Sequence, residues 1–152
     1  MLKNNLNNHL IDIGGEVIIN GNIHGNSWKV GIQDPSSYSD KPIYIIENSN
    51  KYLSIATSGE YRNFIVLDNG KTISHTINPE TLNSISSNVS SVTVVHENSA
   101  TYADADATAL NVMGGLEAMN FANKNDIALM LSFLKDGEVV LKFSNKWYDL
   151  GL

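Results

Sequence analysis

Residues 92–143 read VTVVHENSATYADADATALNVMGGLEAMNFANKNDIALMLSFLKDGEVVLKF, and this stretch decides the fold class. It opens with a β-branched run, residues 92–96, that is typical of a strand. Ser99 is placed to cap a helix that we expect to continue as far as the glycine pair Gly114-Gly115. Two further elements follow: a helix over residues 116–124, and a hairpin whose strands are residues 127–134 and 138–143.

The part of the chain before this stretch contains short apolar runs and turns rather than a helical period. The predicted extended segments are residues 9–13, 16–20, 28–33, 43–46, 53–56 and 64–67. We predict a turn over residues 57–60, a hairpin turn at residues 68–70 and a long irregular loop over residues 73–91. The prediction is therefore an α+β fold, with a mostly antiparallel sheet and two adjacent helices, in a single domain over residues 1–152.

The amino-acid composition and net charge of the chain exclude some classes of function. Of the 152 residues, 42% are apolar, which is enough for a sizeable core, and 17% are charged. Ten basic residues against sixteen acidic ones leave a formal charge of −6, and the lysines are scattered along the chain. This balance argues against a nucleic-acid partner, which requires a basic face. An acidic protein that binds phosphates needs a metal ion or backbone N–H groups to do so.

Several kinds of site are excluded by what the sequence lacks. It contains no cysteine, which rules out a disulfide framework, a thiolate zinc site and a cysteine nucleophile. The four histidines do not have metal-site spacing, and no P-loop or G-x-S-x-G elbow is present. No apolar run approaches the length of a membrane span, and the first residues lack the apolar core of a secretory signal. The expectation for the chain as given is a cytoplasmic location.

The segment ADADATAL, residues 103–110, carries the sharpest chemical pattern. On a helix, Asp104 and Thr108 lie one turn apart on the same face, whereas Asp106 projects elsewhere. A carboxylate and a hydroxyl so placed can hold Mg²⁺, which shares its ligands with water and substrate phosphates. The alternative is that Asp104 and Asp106 are solvated residues near a helix N-terminus, with Thr108 bonded to a backbone carbonyl.

Three other segments offer chemistry, each with a simpler alternative. His75 lies in a polar region close to Pro79 and can donate to a phosphate or act as a general acid, or it is a surface histidine. Residues 57–61 combine hydroxyls with an aromatic side chain and either cradle a ligand or only join two strands. Gly14-Gly15 would allow a close approach of the backbone, although it is not a dinucleotide fingerprint.

Five segments follow one another along the chain: DIGGE at residues 12–16, WKVGIQDP at 28–35, SGEY at 58–61, HTINPET at 75–81, and ADADATAL at 103–110 followed by Met113-Gly114. Taken in order, they resemble the C-terminal half of the FAD:protein FMN transferases, the ApbE family. The resemblance covers nearly the whole chain.

The resemblance implies a T-fold-like α+β domain that takes FAD as its substrate and binds Mg²⁺. Family members attach FMN through a phosphoester to a Thr or Ser of a target flavoprotein, and AMP leaves. Carried onto this sequence, the metal ligands are Asp104 and Thr108, and the catalytic histidine is His75. The implied flavin-nucleotide contacts are Gly14, Gly15, Ser58, Gly59, Tyr61, Asn78 and Pro79.

Three residues depart from the family pattern. Asn78 replaces an Asp, and Leu82 replaces the Gly that closes the same motif, so we expect this loop to be shaped differently. Asp106 stands where an apolar residue is usual, which would add a carboxylate near the metal.

The family's N-terminal half, with its lysine-bearing helix and its export signal, has no counterpart in this sequence. Relatives usually work in the periplasm or as cell-envelope lipoproteins. The chain is accordingly interpreted as a flavin transferase domain that is incomplete as given. The alternatives are an inactive paralogue that binds flavin or another nucleotide, and a subunit that pairs with a separate N-terminal half or with a second copy of itself.

Overall fold

The computed structural model describes residues 6–35, 41–59, 64–66, 70, 72–85 and 88–152. The strands are β1 (His9–Ile13), β2 (Glu16–Asn20), β3 (Asn22–Ile23), β4 (Asn26–Ser27), β5 (Lys29–Gln33), β6 (Pro42–Glu47), β7 (Leu53–Gly59), β8 (Phe64–Val66), β9 (Thr72–Ser74), β10 (Val89–His96), β11 (Ala128–Lys135) and β12 (Glu138–Phe143). The helices are α1 (Ala100–Met113), α2 (Gly115–Lys124) and α3 (Asn145–Asp149).

Six strands form the central sheet, in the order β1-β2-β7-β10-β11-β12. Each of its neighbouring pairs is antiparallel. Three short antiparallel pairs, β3-β4, β5-β6 and β8-β9, lie outside it. The predicted α+β class, with a mostly antiparallel sheet, is confirmed.

The helices α1 and α2 adjoin, as the sequence predicts, because Gly114 takes a φ of 78° and reverses the chain between them. The short α3 was not predicted. It spans only five residues, too few to show a helical period. It is nevertheless anchored, because its Trp147 is fully buried.

The sheet separates two hydrophobic clusters, because alternate residues of a strand point to opposite faces. One cluster contains Ile55, Val95, Met130 and Trp147. The other lies under α1 and α2 and contains Leu129 with Ala56 and Val94 of the neighbouring strands. The central strands are therefore covered on both faces, as their nearly continuous apolar sequences require.

Helix α1 begins at the cap predicted from the sequence: the Ser99 hydroxyl accepts a hydrogen bond from the Tyr102 N–H at 3.3 Å. Its inward face carries Ala103 and Ala107, both almost completely buried. Small side chains let the helix lie close to the sheet. Asp104 and Thr108, the next residues round the helix, consequently remain exposed at its edge.

Two local predictions are wrong. Residues 57–59 do not form a turn but continue β7, where Thr57 pairs with Thr93 and Ser58 with Val92. The ladder to β10 overrides the turn preference of Ser and Gly, since each added pair satisfies backbone groups. The predicted loop over residues 73–91 is also interrupted at both ends by strand.

The hairpin turn at residues 68–70 lies mostly outside the described residues. Within the described part of the chain, no helix combines the length and apolar character needed to cross a membrane.

Candidate functional site

A groove of about 800 Å³ opens at the end of β7, between the β1-β2 hairpin, β5 and the outer edge of α1. It gathers residues that are far apart in the sequence. Seven of the predicted site residues line it: Gly14, Gly15, Ser58, Gly59, His75, Asp104 and Thr108. These residues come from four segments, so the tertiary structure creates this convergence.

One wall of the groove belongs to α1. Asp104 and Thr108 both line it, one helical turn apart, with exposed side chains. Among the described residues, no group of three or more His, Cys, Asp or Glu side chains is arranged to hold a metal ion. Two protein oxygens nevertheless fit Mg²⁺, because this ion is usually bound by one or two carboxylates and completes its shell with water and substrate phosphates.

The opposite wall is the turn between β1 and β2. Gly14 and Gly15 have φ values of 69° and 104°, a region that favours glycine, as a two-residue hairpin turn requires. The Asp12 carboxylate accepts a hydrogen bond from the Gly15 N–H at 3.0 Å and fixes the turn. A β-carbon on Gly15 would meet no atom within 4 Å. The backbone conformation, rather than lack of space, therefore requires glycine here.

The end of β7 forms the floor. The Ser58 hydroxyl accepts a hydrogen bond from the Asn111 side-chain amide at 3.2 Å, and Gly59 follows as the last strand residue. On the other face of the strand, the Thr57 hydroxyl lies 2.9 Å from that of Thr93. Tyr61, which completes the predicted S-G-x-Y contact, lies outside the described residues.

His75 follows β9 and contributes an exposed imidazole to the groove. The other residues predicted from its motif do not line the groove. The side-chain oxygen Oδ1 of Asn78 accepts hydrogen bonds from the backbone N–H groups of Glu80 and Thr81, at 2.8 and 3.2 Å. Pro79, which lies between Asn78 and Glu80 in the sequence, is exposed. Asn78 thus acts here as the organiser of a tight turn.

Leu82 lies in the loop that we expect to be shaped differently from that of the family, and this expectation stays a prediction. Leu82 adopts a φ of 56°, in the region that a glycine would supply, and its N–H donates to the Asn78 carbonyl at 2.8 Å. Leu82 is 79% exposed, so its side chain extends towards solvent rather than into the protein.

Asp106 does not add a carboxylate to the groove. It lines a second cavity of about 540 Å³ on the other side of α1, together with His96 and Tyr102. Burial raises the pKa of the Asp106 carboxyl above its ordinary value, and the nearby His96 opposes this rise. Helical periodicity explains the separation, because residues two apart on a helix point in different directions.

The charge around the groove is negative. Asp12, Glu16 and Asp104 line it, whereas Lys29, the one lysine among the described lining residues, forms an ion pair with Glu47. A pyrophosphate entering this groove would face carboxylates, and a bound divalent cation would offset that repulsion. Electrostatics and donor chemistry therefore both fit a metal at the α1 wall.

Several polar residues that line the groove were not predicted as site residues, and two of them, Glu16 and Gln33, lie in segments that carry the resemblance. Gln33, at the end of β5, has a buried side-chain carbonyl oxygen with no hydrogen-bond partner in the described part of the chain. Glu16 follows the glycine turn. Gln33 could have been found only as a polar residue closing an alternating strand, which is a weak signal.

Comparison with known proteins agrees with this description. A family model described as the ApbE family matches residues 1–131. An FAD:protein FMN transferase of Haemophilus influenzae is 33% identical over 147 residues, which are 96% of this chain and 42% of that protein. The corresponding enzyme of Vibrio cholerae is 39% identical over 127 residues, or 83% of this chain and 37% of the relative.

Solved structures give the same result. The flavin transferase ApbE from Vibrio cholerae matches with a TM-score of 0.77 and 31% identity, over 97% of this chain and 46% of that one. The apo flavinyl transferase ApbE of Pseudomonas stutzeri matches with a TM-score of 0.71 and 27% identity, over 93% of this chain and 42% of that one.

The chain is thus an α+β protein with a polar groove at a sheet end, and it belongs to the ApbE family. It spans less than half the length of the relatives described above.

Proposed function

We propose that this chain carries the flavin-nucleotide and metal site of an FAD:protein FMN transferase. Its substrates would be FAD and a target flavoprotein that offers a Thr or Ser hydroxyl. The new bond joins that oxygen to the FMN phosphorus, and the broken bond is the one between this phosphorus and the bridging oxygen of the pyrophosphate. The bridging oxygen leaves as part of AMP.

The observation that carries the proposal is the convergence of seven predicted residues on one groove. Asp104 and Thr108 would hold Mg²⁺, which when bound neutralises phosphate charge and polarises the phosphorus. The flat surface of Gly14-Gly15 admits the nucleotide close to the backbone. His75, from another segment, would donate a hydrogen bond or a proton to a phosphate oxygen as charge develops there.

The test uses the rise in fluorescence when FAD is cleaved, because FMN is brighter than FAD. With the chain, FAD and Mg²⁺ present, and with water replacing the target hydroxyl as the acceptor, we expect a rise that EDTA abolishes. Asp104→Ala should lower the rate by about a hundredfold or more, since it removes a metal ligand. Asp106→Asn is the matched control. It changes the same helix two residues further on, but lines the other cavity, and should keep the wild-type rate.

A cleavage rate unaffected by Asp104→Ala would contradict the metal assignment. FAD binding without AMP release would favour the second candidate, a flavin-binding module without turnover.

The proposal also covers the fold type and the association state of the chain. The first is that the sheet and its helices form a T-fold-like unit. The second is that the chain associates with another polypeptide or with a second copy. The exposure of Ile13 and Leu116, 72% and 79%, supports association. A monomer by light scattering at micromolar concentration would count against it.

A further inference from the structure

Asn111 continues the polar face of α1 from the groove into the protein. It lies three residues after Thr108 and seven after Asp104, a spacing that keeps all three residues on one side of the helix. Asp104 and Thr108 are exposed, whereas Asn111 is completely buried. An amide is an unusual choice for this position, because the neighbouring Leu110 belongs to the apolar cluster under the helix.

The side chain of Asn111 is only half satisfied. Its nitrogen donates to the Ser58 hydroxyl at 3.2 Å, but its carbonyl oxygen is buried without a partner in the part of the chain that the structure describes. Leaving a buried acceptor unpaired destabilises a protein, and an apolar residue of similar shape would remove that cost. Stability alone therefore does not account for Asn111.

The hydrogen bond from Asn111 affects how the Ser58 hydroxyl can be used. A serine hydroxyl has one proton to donate and can accept two hydrogen bonds. Because Asn111 occupies an acceptor position of Ser58, the Ser58 proton is not needed for this contact. Ser58 lines the groove, so its proton can be directed towards a ligand. The hydroxyls of Ser91 and Ser132, by contrast, lie 2.6 Å from each other inside the sheet.

We propose that Asn111 is a positioning residue that orients the Ser58 hydroxyl as a hydrogen-bond donor to an acceptor oxygen of the flavin nucleotide. This inference rests on the proposed function. The acceptor is a carbonyl oxygen of the flavin or an oxygen of a phosphate, since both accept the same bond.

The experiment compares stability with binding in one set of variants. Asn111→Leu keeps the branched shape but has no donor, and Asn111→Ala serves if leucine does not fit. We expect Asn111→Leu to keep or raise the melting temperature, because the unpaired oxygen disappears. FAD binding with Mg²⁺ should weaken by about tenfold, the effect of one lost hydrogen bond to a charged or strongly polar group. Ser58→Ala should weaken binding similarly, and adding it to Asn111→Leu should cost nothing more.

Ser132→Ala is the matched control, because it deletes a buried hydroxyl that does not reach the groove. It should lower the melting temperature and leave the FAD affinity unchanged. Riboflavin and ADP separate the two acceptors. A loss confined to riboflavin places the donor at the flavin, and a loss confined to ADP places it at a phosphate.

Three results would overturn the positioning role. If the Asn111 variants bind FAD as well as wild-type protein does, the positioning role of Asn111 is rejected. The proposed function is not affected by that result. If wild-type protein binds no FAD, both fall. Equal and additive losses from Ser58→Ala and Asn111→Leu also count against it, because they show that the two residues act independently.

Discussion

At the scale of single residues, Leu82 holds a backbone conformation that usually favours glycine. Its φ of 56° lies in the left-handed region, where a β-carbon costs about 1–2 kcal/mol. The conformation persists because Asn78 fixes the turn from both its backbone and its side chain. These hydrogen bonds hold the turn that follows His75 in the sequence.

We predict that Leu82→Gly stabilises the protein. The substitution removes the strain, and the greater freedom of glycine in the unfolded chain offsets part of this gain, which leaves about 0.5–1 kcal/mol. Little burial is lost, because Leu82 is 79% exposed. Urea denaturation measures the effect. Leu82→Ala retains the β-carbon and should give no gain, so equal stabilisation by both variants would show that strain at Leu82 is not the cause.

Asn48 is a second residue with a large structural role. It is buried, its carbonyl oxygen accepts from the Trp28 N–H, and its amide donates to the carbonyls of Gly21 and Lys51 at 2.8 and 2.7 Å. Unlike Asn111, it has all of its polar atoms in use. The Asn48 side chain thus connects three backbone segments by hydrogen bonds. These segments lie beside β5, and β5 forms part of the groove wall.

At the scale of elements, the turn after β2 depends on a close approach between two segments. Gly21 has a φ of 62°, and a β-carbon on it would lie 2.6 Å from the backbone oxygen of Asn7. The same segment is tied to the turn by Asn8, whose side chain accepts from the Asn22 N–H at 3.0 Å. Glycine is required here both for the conformation and for the space.

Gly21→Ala should therefore be more destabilising than Gly25→Ala. Gly25 also has a positive φ, 86°, but a β-carbon there would meet no atom within 4 Å. We expect Gly25→Ala to cost about 1 kcal/mol from backbone strain, and Gly21→Ala to cost at least about 1 kcal/mol more from the added clash. Thermal unfolding followed by circular dichroism compares the two variants. Equal losses would mean that residues 7–8 move aside freely.

At the scale of the whole molecule, the sheet couples two cores that share no side chains. Leu129 and Met130 are adjacent and fully buried, yet they belong to opposite clusters. Trp147 and Trp28 both pack in or against the cluster that contains Met130. Tryptophan fluorescence therefore reports on one face of the sheet, and circular dichroism reports on the secondary structure as a whole.

We predict that Leu129→Ala shifts the tryptophan transition as far as the circular dichroism transition. The substitution removes a buried side chain from the face opposite the tryptophans and should cost about 2–5 kcal/mol. Both transitions should move together, because β10 and β11 contribute to both clusters and unfold as one unit. A tryptophan transition that stays in place would show that the two faces unfold separately.

Local sequence patterns predicted the positions of helices and strands better than they predicted which strands pair with each other. The strand at residues 92–96, both longer helices and the last hairpin follow from periodicity, capping and glycine breaks. The strand character of residues 57–59 depends on β10, about 35 positions away in the sequence, so turn preference gave the wrong answer. For the site, helical spacing joined Asp104 with Thr108 and separated Asp106 from them.

What the sequence by itself determined is the fold class, the family and the residue types at the groove, since these depend on local periodicity and on motifs in order. What the tertiary structure decided is which of those residues meet. It brought His75, the β1-β2 turn, the end of β7 and α1 together, left Asn78 and Pro79 in a turn, and placed Asn111 behind Ser58. The physical reason is that such contacts arise from strand pairing and helix packing between distant segments, which no local pattern encodes.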